Sequence, residues 1–213
     1  MLTLESAVET VVRQSDLLTE SNALLVAISG IDGAGKGYIT HQIAQSLEQH
    51  NLNVAVVNID GWLNLPHRRF SNINPAEHFY AHAFRFDALF AQLVLPLRDR
   101  RSLSLEIDYT EETATAYRQH PYQFDQIDII LLEGIFLLKQ AFQTYYDLSF
   151  WVECSFETAL ERAIARSQEG LSPAETVNAY HTIYFPAQQI HFERDHPQTA
   201  ATAIINNDPR LAS

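Results

Sequence analysis

The stretch ALLVAISGIDGAGKGYIT spans residues 23–40 and sets the frame for the whole chain. Its first six residues are apolar, include the β-branched Val26 and Ile28, and run through Ser29 up to a glycine. That is the pattern of a strand buried in a parallel sheet. Next comes Gly30-Ile31-Asp32-Gly33-Ala34-Gly35-Lys36-Gly37, and after Tyr38 a helical pattern puts Ile39, Ile43, Ala44 and Leu47 on one face. Strand, G-x-x-x-x-G-K and helix form the layout of a phosphate-binding P-loop. The glycines let successive backbone N–H groups turn inward around an anion, and the helix directs its positive end at the same point. Lys36 adds a mobile point charge for the outer phosphates. The nucleotide cradle is therefore assigned to Gly30, Asp32, Gly33, Ala34, Gly35, Lys36, Gly37 and Tyr38. A glycine-rich turn beside an ordinary surface lysine would leave this spacing unexplained.

One position departs from the motif. The residue after the lysine is usually Ser or Thr, whose hydroxyl ligates Mg²⁺; here it is Gly37. Thr40 lies almost a turn further along and cannot take over that place. The phosphate cradle reads as complete and the metal site as one ligand short.

Four further apolar runs follow: Asn53–Ile59 (NVAVVNI), Ile127–Leu132 (IDIILL), Leu148–Val152 and Ala203–Asn206 (AIIN). Five buried strands alternating with helices predict an α/β chain: a three-layer α/β/α P-loop NTPase fold with a five-stranded parallel sheet, as one domain over residues 1–213. Helices are expected at Thr3–Thr19, where Leu4, Val8, Val11, Val12 and Leu18 share a side, at Ala76–Asp99 with a break or kink at Pro96, and at Phe156–Ser167. Ser172 before Pro173 is a helix start, with a bend expected at Pro186. Ser102–Tyr109 alternates apolar and polar residues, as an edge or hairpin strand outside the main sheet does. Glu111–Pro121 reads as either a short helix or an ordered loop.

Two strand ends besides the P-loop carry acids. Asp60 follows the second strand in Asp60-Gly61-Trp62, and Glu133 follows the third. Ligands of open α/β sheets lie at this carboxyl edge. Phosphoryl transfer asks for held phosphates, neutralised charge and a base beside the attacking hydroxyl. Asp60 is placed to take the hydroxyl proton or to hold a metal-bound water, and Glu133, like a Walker B acid, to serve the Mg²⁺ shell. The alternatives are a turn or capping carboxylate at Asp60 and a loop-fixing acid at Glu133. Arg162 and Arg166, four apart on one helix face, either close over the transferred phosphoryl group as part of a lid at about 162–172, or form a solvated face paired with Glu161 and Glu169.

Composition narrows the partners. With 213 residues, 46% hydrophobic and 19% charged, the chain reads as a soluble globular protein. A net charge of −12 argues against a nucleic-acid or membrane-surface binder. The acidic start LESAVETVV lacks the basic and apolar regions of a signal peptide, so the cytoplasm is the default. No apolar run approaches a membrane span. Cys154, the only cysteine, excludes an intrachain disulfide and fits a buried strand end. His78 and His82 lack the convergent carboxylates or cysteines that zinc requires. His191 and His196 are expected on a polar surface or at a helix cap.

The motifs GIDGAGKG, DGW followed by prolines and arginines, LLEGIFLL, ETALERAIARSQEG and YFPAQQIHFERDHPQTAATAIINND, in this order, resemble the uridine kinase family of P-loop kinases, whose relatives include phosphoribulokinase and pantothenate kinase. The resemblance spans roughly Leu24 to Asp208. It implies ATP (or GTP) with Mg²⁺ as donor and a hydroxyl on a ribose or similar small molecule as acceptor. It also implies Lys36 as the phosphate lysine, Asp60 as the base, Glu133 in the metal shell and Arg162 and Arg166 in the lid. Arg68 and Arg69 match a basic pair facing the acceptor, and Tyr80, Phe84 and Tyr109 are candidates to line its pocket, with Phe84 more a core residue. The segment EIDYTEETATAY lacks the family's tyrosine–proline–aspartate pattern with its following histidine. The reading is thus a kinase of uridine kinase type. A nucleotide-binding protein without phosphotransfer, or a kinase for another acceptor such as a nucleoside monophosphate or pantothenate, stays open, as does a homo-oligomer.

Overall fold

A computed structural model describes residues 1–17, 22–167 and 170–211. Leu18 and Thr19 of the first expected helix, and Gln168 and Glu169 of the expected lid, lie outside the described residues. In chain order the elements are α1 (Leu4–Ser15), β1 (Leu24–Gly30), α2 (Lys36–Gln49), β2 (Val54–Asn58), α3 (Pro66–Arg69), α4 (Pro75–His82), α5 (Phe86–Leu89), α6 (Leu95–Arg100), β3 (Leu103–Tyr109), β4 (Arg118–Phe124), β5 (Ile129–Gly134), β6 (Leu148–Glu153), α7 (Phe156–Arg166), α8 (Pro173–Ala179), α9 (Phe185–Asp195), α10 (Pro197–Ala200) and β7 (Ala203–Asn206).

Five of the strands form a parallel sheet in the order β2-β5-β1-β6-β7. Every residue of β1 and β5 is buried, as unbroken apolar runs require when helices cover both faces. The register places Ile28 opposite Glu133 on one side of β5 and Asn58 opposite Glu133 on the other. The carboxyl ends of β1, β5 and β2 therefore finish level, and the turns leaving these three strands meet at one edge of the sheet.

The expected strand 102–109 is β3, outside the main sheet, and it pairs with β4 in an antiparallel hairpin. Residues 111–121 are not a helix, and an ordered loop accounts for only part of them, because β4 begins at Arg118. Pro121 hid that strand: it has no N–H for a ladder, but a two-stranded ribbon tolerates it opposite Glu106. His120, Tyr122 and Phe124 alternate inward.

The expected helix 76–99 is interrupted. Around Phe84 the chain leaves the helix and pairs with the segment after β2: Asn64 N–H donates to Ala83 O (2.8 Å), Arg85 N–H to Trp62 O (2.8 Å), and Leu63 bridges Phe84. A long-range backbone pairing has overridden local helix preference. The irregularities expected at Pro96 and Pro186 take one form. Each proline follows a π-helical turn, Phe90–Val94 between α5 and α6 and Tyr180–Tyr184 between α8 and α9. Widening the preceding turn absorbs the missing N–H and the ring clash, so the helices continue.

Candidate active site

The P-loop turns back on itself through two left-handed glycines, Gly33 (φ +77°) and Gly35 (φ +83°). A Cβ at Gly33 would stand 2.4 Å from the carbonyl oxygen of Ala159 in α7, and one at Gly35 would stand 2.3 Å from Asn207 Nδ2. No L side chain takes those conformations in that space without strain. Lys36, the first residue of α2, is 7% exposed and donates from Nζ to Ile31 O (3.0 Å), folded over its own loop.

The loop is braced from the far side. Arg162 Nη1 donates to Ala34 O (3.1 Å) and Arg162 Nη2 to Asn207 O (2.8 Å), while Asn207 Nδ2 donates to the same Ala34 carbonyl (2.7 Å). Arg166 lies one helical turn further, 3.5 Å from Asp32 Oδ1. The Tyr180 hydroxyl donates to the other oxygen of Asp32. Burial pushes the Asp32 carboxyl up, but Arg166, Lys36 and the Tyr180 and Gly33 hydrogen bonds together hold it below the usual aspartate range.

Opposite the loop stand the strand-end acids. Asn58 joins them: its Oδ1 accepts from the Asp60 N–H (2.7 Å) and caps the short turn Ile59–Trp62, while its Nδ2 donates to Glu133 Oε2 (2.8 Å). Loss of hydration raises Asp60 above the ordinary aspartate value, with Lys36 opposing and Asp32 reinforcing the rise. Burial raises Glu133 to about 7, against the pull of Lys36 and with the push of Asp60. Gly37 faces this acid: a Cβ there would meet only Glu133 Oε2, at 4.0 Å.

These groups line one cavity of about 320 Å³. Asp32, Gly33, Gly35, Lys36, Gly37, Arg162 and Arg166 form one wall, and Asn58, Asp60 and Glu133 a second. Leu63, Phe79, Phe84, Tyr184 and Gln188 also line it and give it an aromatic part. A loop turned by two left-handed glycines, a lysine and a helix start fit a polyphosphate. A carboxylate pair beside that cradle fits Mg²⁺, which takes one or two protein carboxylates and completes its shell with water and phosphate oxygens. Among the described residues no three His, Cys, Asp or Glu side chains converge on a metal position.

The remaining candidates are placed elsewhere. Gly30 is buried against Val152, Ala34 contributes its carbonyl to the brace, and Tyr38 is 64% exposed on α2. Arg68 is exposed, and its carbonyl bonds the His78 ring (2.8 Å). Arg69 is buried and pairs with Glu112, itself in the cavity wall. The Tyr109 ring lies against Gly61 and packs at a tilt on His120, their centroids 4.6 Å apart, behind the Asp60 turn. Tyr80 spends its hydroxyl on Asp195 Oδ2 (2.6 Å), away from the cavity lining. That same carboxylate oxygen lies 2.6 Å from His191 Nδ1, and His191 is fully buried, which corrects the expectation of a polar surface there. Cys154 is buried at the end of β6, and burial lifts its thiol to about 11.

Sequence reasoning overlooked Asn58, Tyr180, Gln188 and Asn207. Asn58 carried a legible signal, the Asn-x-Asp spacing of an Asx turn at a strand end. Tyr180, Tyr184 and Gln188 recur at four-residue intervals, but their stripe reads equally as core.

The phosphoribulokinase/uridine kinase family model matches residues 25–180. A uridine kinase from Staphylococcus haemolyticus is 27% identical over 172 residues, covering 78% of this chain and 80% of that protein. Among solved structures, a possible uridine kinase from Bacillus stearothermophilus superposes with a TM-score of 0.73 at 17% identity, over 95% of this chain and 98% of that one. D-glycerate 3-kinase from Cryptococcus neoformans superposes at 0.67 with 11% identity, over 95% of each chain. At these identities the structural likeness establishes the fold.

Proposed function

Given a chain that belongs to the phosphoribulokinase/uridine kinase family, we propose that it is an ATP-dependent small-molecule kinase that moves the γ-phosphoryl group to a hydroxyl of a nucleoside-like acceptor. The observation that carries this is the shared cavity: a glycine cradle with its lysine on one wall and two strand-end carboxylates on the other. When bound, ATP (or GTP) with Mg²⁺ supplies the transferable group and neutralises its phosphate oxygens.

Each residue has a stated part. Gly33 and Gly35 shape the cradle, and Lys36 swings from Ile31 O to the outer phosphates. Arg162 holds the Ala34 carbonyl and so fixes the loop in place before nucleotide arrives. Arg166 lies at the cavity rim, where a guanidinium meets charge developing on the transferred group. Asp60 takes the acceptor hydroxyl proton, and loss of hydration, which raises its carboxyl above the ordinary aspartate value, makes it a stronger base. Glu133 joins the metal shell and is held by Asn58.

One observation favours a second reading, nucleotide binding without transfer: Gly37 offers no hydroxyl at the metal position. Steady-state ATP consumption with uridine, cytidine, pantothenate, D-glycerate and sugar phosphates separates the two. Acceptor-dependent turnover supports the kinase; ATP binding with no turnover on any acceptor supports the second.

A further inference from the structure

The cavity contains a polar side chain that phosphate chemistry does not use. Gln188, on α9, is 1% exposed and lines the aromatic part, and among the described residues neither its Nε2 nor its Oε1 has a hydrogen-bond partner. Ser29 Oγ, the Trp62 and Trp151 indole nitrogens and His191 Nε2 are also buried without partners, but none of those residues lines the cavity. A buried carboxamide with nothing to bond costs free energy that a leucine or methionine at the same place would not. The same cavity is lined by Leu63, Phe79, Phe84 and Tyr184, with the Phe79 and Tyr184 rings edge to face at 5.0 Å.

Resting on the kinase reading, we propose that Gln188 determines acceptor specificity by bonding a planar amide edge of the acceptor, a hydrogen-bond donor set beside an acceptor. A carboxamide carries its own donor and acceptor side by side, so it pairs twice with an edge of the same kind. Being neutral, it offers no ion pair to a charged group. The aromatic walls suit a flat ring next to that edge. A hydroxyl on the same molecule then has the Asp60 carboxylate in the same cavity. A nucleobase ring and an open-chain amide share this chemistry.

The test compares the full-length protein with Gln188→Leu, and with Gln188→Met should the leucine variant not fold. Uridine, 3-methyluridine and pantothenate are titrated calorimetrically, with and without a non-hydrolysable ATP analogue. The parent is expected to bind uridine or pantothenate, and the variant to bind it about ten- to a hundredfold more weakly, with ATP affinity kept. The ligand-free variant should melt higher, because its unpaired amide is gone. If the edge belongs to a nucleobase, 3-methyluridine binds the parent poorly but the variant as well as uridine does. If pantothenate alone shows the loss, the edge is an open-chain amide.

Unchanged acceptor affinity in the variant overturns the proposal. So does a lower melting temperature, which would mean that a structural water completes the amide. A parent that phosphorylates D-glycerate but binds neither amide-bearing probe also overturns it while leaving the kinase reading intact. The kinase reading fails separately, as loss of ATP binding by both proteins, and the uridine titration without nucleotide still decides the role of Gln188.

Discussion

Glu133→Gln should stabilise the ligand-free protein in alkaline solution and leave it nearly unchanged in acid. The carboxyl of Glu133 is buried and hydrogen-bonded to Asn58, and its pKa stands at about 7 against an ordinary 4.5. Below 4.5 the group is protonated in folded and unfolded chains alike and contributes nothing to the difference. As pH rises from 4.5 to about 7, the unfolded chain releases the proton first, so the folded state loses stability over that window; above it the full penalty remains. Each pKa unit is worth about 1.4 kcal/mol, which gives about 3 kcal/mol as the upper figure. Solvent entering the cavity and the linked titration of nearby Asp60 lower it, so about 1–3 kcal/mol is expected. For a chain of this size that corresponds to roughly 3–10 °C in melting temperature. The glutamine keeps an oxygen for Asn58, so the neighbouring geometry is preserved. Thermal unfolding of parent and variant at pH 4.5 and 8.5, without nucleotide or divalent cation, reads the effect. An equal gain at both pH values, or a variant less stable at pH 8.5, would refute the argument from burial.

Lys36→Ala should abolish ATP binding, because the only side-chain charge aimed into the cradle from α2 is removed; calorimetry showing parental affinity would reject the cradle. Asp60→Asn keeps the shape and the cap from Asn58 but cannot take a proton, so turnover should fall about 10²-fold or more while ATP affinity holds. Full turnover in that variant would take Asp60 out of the mechanism. At Gly37 a Cβ meets only Glu133, at 4.0 Å, so Gly37→Ser fits and should lower the half-saturating Mg²⁺ concentration, on the order of tenfold. A superimposable Mg²⁺ titration would show that the missing hydroxyl does not limit metal use.

Local pattern was enough to place the P-loop and the five sheet strands. An apolar run bounded by glycine or a turn declares a buried strand from within its own few residues, and G-x-x-x-x-G-K declares a loop whose conformation its own glycines permit. Asp60 and Glu133 were legible for the same reason, since each directly follows such a run. Where a contact from elsewhere overrules the neighbourhood, the sequence misleads. Phe84 leaves its helix to pair with Leu63, Pro121 sits in a strand where a short helix or an ordered loop was expected, and His191 is buried because Asp195 satisfies one of its nitrogens.

What the sequence by itself determined, then, was the fold and the position of the P-loop, because short-range periodicity and backbone permissiveness encode both. Only the tertiary structure decided the partners. The β2–β5 register sets Asn58 against Glu133, and Arg162 is drawn onto the Ala34 carbonyl. Tyr80 is turned toward Asp195, and Gln188 is left unpaired in the aromatic part of the cavity. Hydrogen-bond partners and carboxylate pKa values depend on distances between residues many positions apart. Those distances are fixed by how sheet and helices pack, and no local window contains them.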